Sequence, residues 1–424
     1  MNKVIKNLIQ KTITIMTLLL SLHSYSQEKT LTIYQDADIS HHQESAKAIQ
    51  QGIEVAFNEI DNEIQGYKIE FKYLDQRSNI IRSKRNYQTF LNDPSALVIF
   101  SGNRSPPLIK NRTFINKNEA LTLVPWAAGG PVTRYPSKEN WIFRLSVDDT
   151  QAAPVIIDYA INTKQCKKPH LFLENTPWGD SNLIRMRKEL VKYNINNPDV
   201  TRFNLSIKQQ GAQTLLREVL NKGSDCIVLV SNASEGVIIA NEVINLTHNE
   251  RLPIISHWGI TGGDFHKKIN TQQRDKLDLH FIQSCFSFTN SEQSVLAKKV
   301  FTQLKQHSNG KIAEPKDLAS AVGFIHAYDL TKLLIQAIQQ TKLTSDMPKN
   351  RNAIRLALEN IKKPIQGLVK NYTKPFSVFN KNTNNNAHEA LSSKDYCMGN
   401  YGASDEILVS QNHENTNNKT INEH

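Results

Sequence analysis

Apolar positions along this chain switch repeatedly between two periods. Residues 30–35, TLTIYQ, read as a strand, and the SHHQESAKAIQQGIEVAFNEI that follows places Ala46, Ile49, Ile53, Phe57 and Ile60 at the spacing of one helix face. Ser40 and Gln43 have the spacing of a capping box, which predicts the start of that helix. The alternation continues with a strand at KIEFKYL (68–74), a polar helix around Tyr87, Phe90 and Leu91, and short apolar runs at LVIF (97–100) and LTLV (121–124). Short continuous apolar strands separated by helices predict a parallel sheet covered on both faces.

A second region repeats the plan. HLFLE (170–174), a helix after Ser181, a strand near Val200, a helix around Leu215 to Leu220, CIVLV (226–230), a helix from about Glu235 and PIIS (253–256) follow in order. The strongest helical pattern is LASAVGFIHAYDLTKLLIQAIQQ, with another helix at NAIRLALENI. Two α/β halves of similar size are predicted. From about residue 411 the chain is a polar tail, QNHENTNNKTINEH, of the composition expected for disorder.

Composition narrows the picture. The chain has 424 residues, 39% hydrophobic and 21% charged, which is globular material for roughly two or three domains. The first 26 residues differ: Lys3, Lys6 and Lys11 precede an apolar run from Ile13 to Leu22, and Ser24 and Ser26 flank Tyr25. This is the pattern of a secretory signal peptide cleaved after Ser26, and no cysteine near that point suggests a lipid anchor. Its apolar run is too short to span a bilayer comfortably, and no later stretch approaches the roughly 20 apolar residues of a membrane helix.

Loss of the leader removes three lysines and no acid, lowering the net charge from +11 to +8. The remaining charge is dispersed, without a Lys/Arg block or basic–aromatic interleaving, so a nucleic-acid partner is not expected. Cys166, Cys226, Cys285 and Cys397 include no CxxC pair, so neither zinc nor any other metal is expected. An oxidising compartment admits one or two disulfides, but Cys226 and Cys285 sit in apolar strand-like runs and read as buried free thiols.

Several stretches carry a family resemblance: AIQQGIEVAFNEIDNEIQGYKIEFKYLDQRSN, LVIFSG, WGDSN after HLFLENTP, and HAYDLTKLLIQAI. Their order and spacing over residues 29–405 resemble the type 1 periplasmic solute-binding proteins, in particular the branched-chain amino acid (Leu/Ile/Val) binding family of ABC importers. The resemblance implies an α/β fold of two doubly wound parallel-sheet lobes joined by a three-crossing hinge, closing on a ligand between them. By analogy, lobe 1 comprises 28–147 and 289–385 and lobe 2 comprises 148–288 and 386–410. A cleft at the carboxyl ends of open α/β sheets is also where ligands bind on physical grounds.

The resemblance also nominates residues. In SGNRSPP after LVIF, Ser105 or Ser101 matches the hydroxyl that holds a ligand carboxylate, and the adjacent Arg104 is a guanidinium suited to the same group. In PWAAGG, Ala127 and Ala128 offer backbone N–H donors, although the family's hydroxyl is missing. Asp148 and Asp149 match a polar residue of the first hinge crossing. Trp126, Trp178 and Trp258 fall in loops that the family aims into the cleft, so aromatic walls are expected. In SNASEG after CIVLV, Asn232, Ser234 and Glu235 are polar candidates. Where relatives carry an acid for the ligand ammonium, SHWGITGGDF offers His257 and Trp258. An ammonium must then be met by Glu174, by Glu235, or by indole faces through cation–π attraction.

Enzymatic readings of SHWGITGGDF fail. It is similar to the cyclase signature GGDEF but lacks the second acid, and GxxxxGK[ST], GxSxG and HExxH are absent from the chain. The local reading of TGGDF is a turn, with Gly262 and Gly263 free to take positive φ and Asp264 capping the next segment. No catalytic residue and no cofactor is expected. The reading is a periplasmic, non-enzymatic binding protein that delivers a small polar or zwitterionic solute, amino-acid-like, to an inner-membrane ABC permease. Two alternatives are a sensory module reporting to a membrane kinase or chemoreceptor, and a relative that has lost its ligand and serves as a structural partner.

Overall fold

The computed structural model describes residues 29–410; the expected signal peptide, residues 1–26, and the polar tail, residues 411–424, lie outside the described residues. The first sheet contains β1 (Thr30–Ala37), the two-residue β2 (Glu63–Ile64), β3 (Tyr67–Asp75), β4 (Ala96–Ser101), β5 (Thr122–Val124) and β6 (Ile142–Arg144). Their order is β2-β3-β1-β4-β5-β6, and every pairing except β2–β3 is parallel. Helices α1 (Gln43–Asn58), α2 (Ile80–Asn92) and α3 (Ser105–Lys117) connect them.

After α4 (Asp149–Asp158) a second parallel set forms: β7 (Pro169–Glu174), β8 (Val200–Phe203), β9 (Cys226–Val230), β10 (Ile254–Ser256) and β11 (Leu279–Ser284). Its connecting helices are α5 (Pro177–Val191), α6 (Gln209–Asn221) and α7 (Ala233–Asn245). The chain then returns to the first sheet with α8 (Val295–His307), α9 (Ala321–Gln339) and α10 (Met347–Leu358), where α9 packs along α1 and α10 against β4. A small hairpin of β12 (Ile365–Gln366) and β13 (Asn371–Tyr372) follows. Finally β14 (Tyr396–Tyr401) pairs antiparallel with β11 and β15 (Ile407–Val409) antiparallel with β14, completing the order β15-β14-β11-β10-β9-β7-β8. The result is two parallel-dominated α/β lobes with three chain crossings between them.

The strand β4 is buried at every position, as is β9, which is why both read as continuous apolar runs rather than alternating ones. Helix α9 is buried nearly all round because α1 and α10 both pack on it. Its Asp329 is pushed up to about 6 by burial, opposed by hydrogen bonds from the Leu368 and Val369 amides and the Tyr372 hydroxyl. Those bonds pin the β12–β13 hairpin to the helix.

Two expectations are corrected. Ser40 does not cap α1: the N-cap is His42, without a side-chain bond, and the Ser40 amide and hydroxyl turn instead to Asp75 at the end of β3. The cysteines are not free thiols, because Cys166 is bonded to Cys226 and Cys285 to Cys397. Pairing follows sheet order. Cys166 precedes β7 and Cys226 opens its neighbour β9, while Cys285 follows β11 and Cys397 lies on the adjacent β14, with Cα separations of 6.0 and 4.9 Å. Apolar patterning along a strand carries no information about which strands become neighbours.

The first and third crossings are tied by buried charge. Arg144, at the end of β6, bridges across to Glu389, donating from Nε to Oε2 at 2.8 Å, and reaches Asp148 Oδ1 at 2.8 Å. Its Nη1 donates to the carbonyls of Ala127 and Gly129 at 3.0 and 2.9 Å. Arg134 donates to both oxygens of Asp148. Burial alone would raise the Asp148 carboxyl, but Arg144 and Arg134 more than offset it and hold the group below its ordinary value. Backbone bonds from Arg144 N to His388 O and from Ala390 N to Arg144 O join the two crossings further.

Candidate functional site

The strands β4, β5, β7, β9 and β10 all end toward one cleft between the sheets, and their following loops supply its walls. From the first sheet come Asn103, Arg104, Ser105, Trp126 and Ala128; Trp178, Asn232, Trp258 and Gly259 face them from the second. Helices α3, α5 and α7 begin here, so three helix N-termini, each carrying partial positive charge, bear on the same space. In α3, however, Pro106 and Pro107 remove two of the early backbone N–H groups. Donors on that side therefore come from side chains.

Arg104 and Asn103 are those side chains, 3% and 8% exposed. Arg104 Nη2 donates to Glu174 Oε1 at 3.2 Å, an ion pair between the two sheets. Glu174 closes the strand β7 and is fully buried; it also accepts from Thr176 Oγ1 at 3.0 Å and from Asn232 Nδ2 at 3.0 Å. By contrast, Arg104 Nε and Asn103 Nδ2 have no hydrogen-bond partner among the described residues. Two buried N–H donors left without acceptors on one pocket wall are costly unless an acceptor enters. His42 stands near the guanidinium, and burial followed by the Arg104 charge pushes it down to about 4, so at neutral pH it adds no second cation.

The tryptophans form the apolar part. Trp126 and Trp258, from opposite sheets, pack with ring centroids 5.5 Å apart and planes tilted by 42°, and Trp258 also lies 5.2 Å from the His326 ring of α9. Trp178 is anchored by its Nε1, which donates to Asp149 Oδ1 at 3.1 Å. Glycine is required at Gly259, where a Cβ would lie 2.5 Å from the Ser231 carbonyl and 2.8 Å from the Trp178 ring. Likewise a Cβ at Gly323 of α9 would lie 2.6 Å from Trp126. The free space left among these groups is small, with room for about one water molecule at its centre (about 10 Å³).

Of the nominated residues, Arg104, Ser105, Trp126, Ala128, Trp178, Asn232 and Trp258 come together on this cavity. Ser105 accepts the Gly129 N–H at 2.9 Å, which leaves its own O–H to donate. Ala127, Glu235 and His257 lie off it. Ala127 packs into the apolar cluster with Tyr34 and Leu108. The Glu235 carboxylate is taken up by the Ser206 amide at 3.0 Å and the Ser234 hydroxyl. His257 stands edge-on against Trp178 with Nε2 3.1 Å from Asp149 Oδ1, off the line a hydrogen bond needs. Asp264 is the N-cap of the short helix Phe265–Lys268, through its backbone carbonyl and without a side-chain cap bond; its carboxylate pairs with Lys268, and of the two glycines Gly263 takes a positive φ of 145° while Gly262 does not. Asn103 was not singled out by sequence, and its only signal was its place between a strand end and Arg104.

A family model described as a periplasmic binding protein matches residues 40–262, just over half of the chain. The chain belongs to this periplasmic binding protein family. Solved structures of the family's fold agree. A periplasmic binding protein type 1 from Bordetella pertussis Tohama I superposes with a TM-score of 0.75 at 18% identity, over 90% of this chain and 100% of that one. The branched-chain amino acid transporter substrate binding protein LivJ from Streptococcus pneumoniae, in complex with isoleucine, gives 0.68 at 18% identity over 90% and 100%. A solute binding protein of an ABC transporter from Rhodopseudomonas palustris HaA2, in complex with p-hydroxybenzoic acid, gives 0.72 at 15% identity over 92% and 99%. Against curated proteins the chain has no match. At these identities the neighbours establish the type 1 periplasmic binding fold, whose solved members include transporter solute-binding proteins.

Proposed function

We propose that this periplasmic binding protein is the solute-capturing component of an ABC transporter, taking a small polar or zwitterionic solute of the amino-acid type between its lobes and presenting it to an inner-membrane permease. Lobe 1 is taken as residues 28–147 and 289–385 and lobe 2 as 148–288 and 386–410, with export directed by the N-terminal leader. The observation that carries the reading is the convergence, on one buried cavity, of Trp126, Trp178 and Trp258 with the unpartnered donors of Asn103 and Arg104. Apolar walls supply buried area and a few fixed polar groups supply orientation, the division of labour of a small-molecule site. Arg104 and Asn103 meet a solute carboxylate, assisted by the Ser105 hydroxyl, and Asn232 orients the opposite end. Solute contacts both lobes only when they are closed, so binding draws the population toward closure.

The test is a thermal-shift screen of the mature protein against amino acids, betaines, short carboxylates and aromatic acids, followed by calorimetry on the hits. A hit is expected, and Trp258→Ala should weaken it by tenfold or more; an unchanged affinity removes Trp258 from the site. Loss of labelled-solute uptake on deletion of the gene ties the binding to transport.

A further inference from the structure

The Arg104–Glu174 pair has a geometry that bears on which solutes the cleft accepts. Each member comes from a different sheet and both are at least 97% buried; Arg104 lines the cavity, and Glu174 lies behind it, against the lining residues Arg104 and Asn232. We propose that this pair is a charge filter: a solute occupies the closed cleft by parting Arg104 from Glu174 and must itself replace both halves, an anionic group for Arg104 and a cationic group for Glu174. The inference rests on the solute-capture reading above and narrows it to dipolar ions.

Three observations support the exchange. The cavity has room for about one water, so an amino-acid-sized solute enters only as groups of the two lobes move apart, and the Arg104–Glu174 contact is one that joins them. Arg104 is only partly used by Glu174, since its Nε and the neighbouring Asn103 Nδ2 point to no acceptor among the described residues; a carboxylate on that side gains two hydrogen bonds that the pair itself does not make. Glu174, for its part, keeps Thr176 and Asn232 on its two oxygens when Arg104 withdraws, which holds the carboxylate in place but leaves its charge uncompensated.

Discrimination follows from what each class of solute leaves behind. A monoanion serves Arg104 and strands Glu174, a monocation does the reverse, and a neutral polar solute strands both. An unpaired ion buried in this way lowers affinity by on the order of a hundredfold or more. Only a solute carrying both charges preserves the neutrality of the joined pair. Of the other nearby ionisable groups, His42 is held uncharged at neutral pH, the Glu235 carboxylate is occupied by Ser206 and Ser234, and the Asp149 carboxylate by the Gly130 amide and the Trp178 indole.

The experiment uses the mature full chain and isothermal calorimetry. The probes are the common amino acids and glycine betaine, p-hydroxybenzoate, and, for every zwitterion that binds, the carboxylic acid and the amine made by deleting one of its charged groups. At least one zwitterion is expected to bind, with its single-charge counterparts weaker by about a hundredfold. In Glu174→Gln, which keeps the side-chain shape, the gap between zwitterion and matched acid should close by tenfold or more. Binding of p-hydroxybenzoate, or of a matched acid or amine within threefold of its zwitterion, overturns the filter while leaving solute capture standing. Binding by none of the probes overturns the capture reading and the filter with it. The wild-type comparison needs no variant, so a failure of Glu174→Gln to fold does not protect the proposal.

Discussion

Two clusters of buried charge, one at the hinge and one in the cleft, are built from the same residue types and are used differently. At the hinge, Arg134 and Arg144 face Asp148 and Glu389, and Arg144 places all three of its nitrogens on acceptors. In the cleft, Arg104 has one carboxylate partner and an idle Nε, beside an idle Asn103 amide. A satisfied network fixes geometry, whereas a half-satisfied one is expensive to keep unless a ligand completes it. The contrast separates the group that ties the crossings together from the group that, in the function proposed above, a solute completes.

The sharpest way to break that contrast is Arg144→Met. It leaves Asp148 and Glu389 buried near one another, and a loss of about 3–5 kcal/mol in urea unfolding is expected. A loss under about 1 kcal/mol would show that the hinge charges are not interdependent. Next comes the disulfide between the second and third crossings: replacing Cys285 and Cys397 by serine opens a link spanning 112 residues, for an expected cost of about 2–5 kcal/mol.

Arg104→Met should cost less, about 1–3 kcal/mol, because Glu174 retains the Thr176 and Asn232 donors. Equal losses for Arg104→Met and Arg144→Met would erase the distinction between the two regions. In calorimetry Arg104→Met should also abolish binding of any carboxylate-bearing hit, an effect that Arg144→Met has no direct reason to share.

The effect that is smallest near neutral pH concerns the histidine between the regions. Burial pushes His326 down to about 3, and its Nε2 meets the Ser284 hydroxyl at the end of β11. The unfolded chain then binds a proton that the folded chain refuses, so stability falls as pH drops from about 6.5 toward 4, with a slope of at most about 1.4 kcal/mol per pH unit from this group. Asp36 and Asp329, both raised to about 6 by burial, act in the opposite sense, losing stability as pH rises through that value. The informative measurement is therefore the difference between wild type and His326→Gln, which should flatten only the acid-side contribution.

Much of the architecture was legible because burial on both faces leaves its mark on local sequence. The runs LVIF and CIVLV became β4 and β9, and the long pattern ending in IQAIQQ became α9. Less legible were β6, β11, β14 and β15, all of which are six residues or shorter and lack a distinctive period. In the site, the tryptophans stood out as large apolar residues in loops after predicted strands. Ala127 and Ala128 looked equivalent, yet adjacent side chains in an extended loop face opposite ways, and only Ala128 reaches the cavity. Glu235 appeared free and is in fact committed to Ser206 and Ser234.

By itself, then, the sequence determined the α/β alternation, the order of the strand-end loops and the supply of indoles, because these depend on periodicity and on residues close in the chain. Tertiary structure alone decided which cysteines bond, that Arg134 and Arg144 meet Asp148 and Glu389, and that Arg104 meets Glu174. Each of those depends on which strands become neighbours and on what happens when two sheets close on one another. Charges 70 or 245 residues apart leave no periodic trace of the partner they will find.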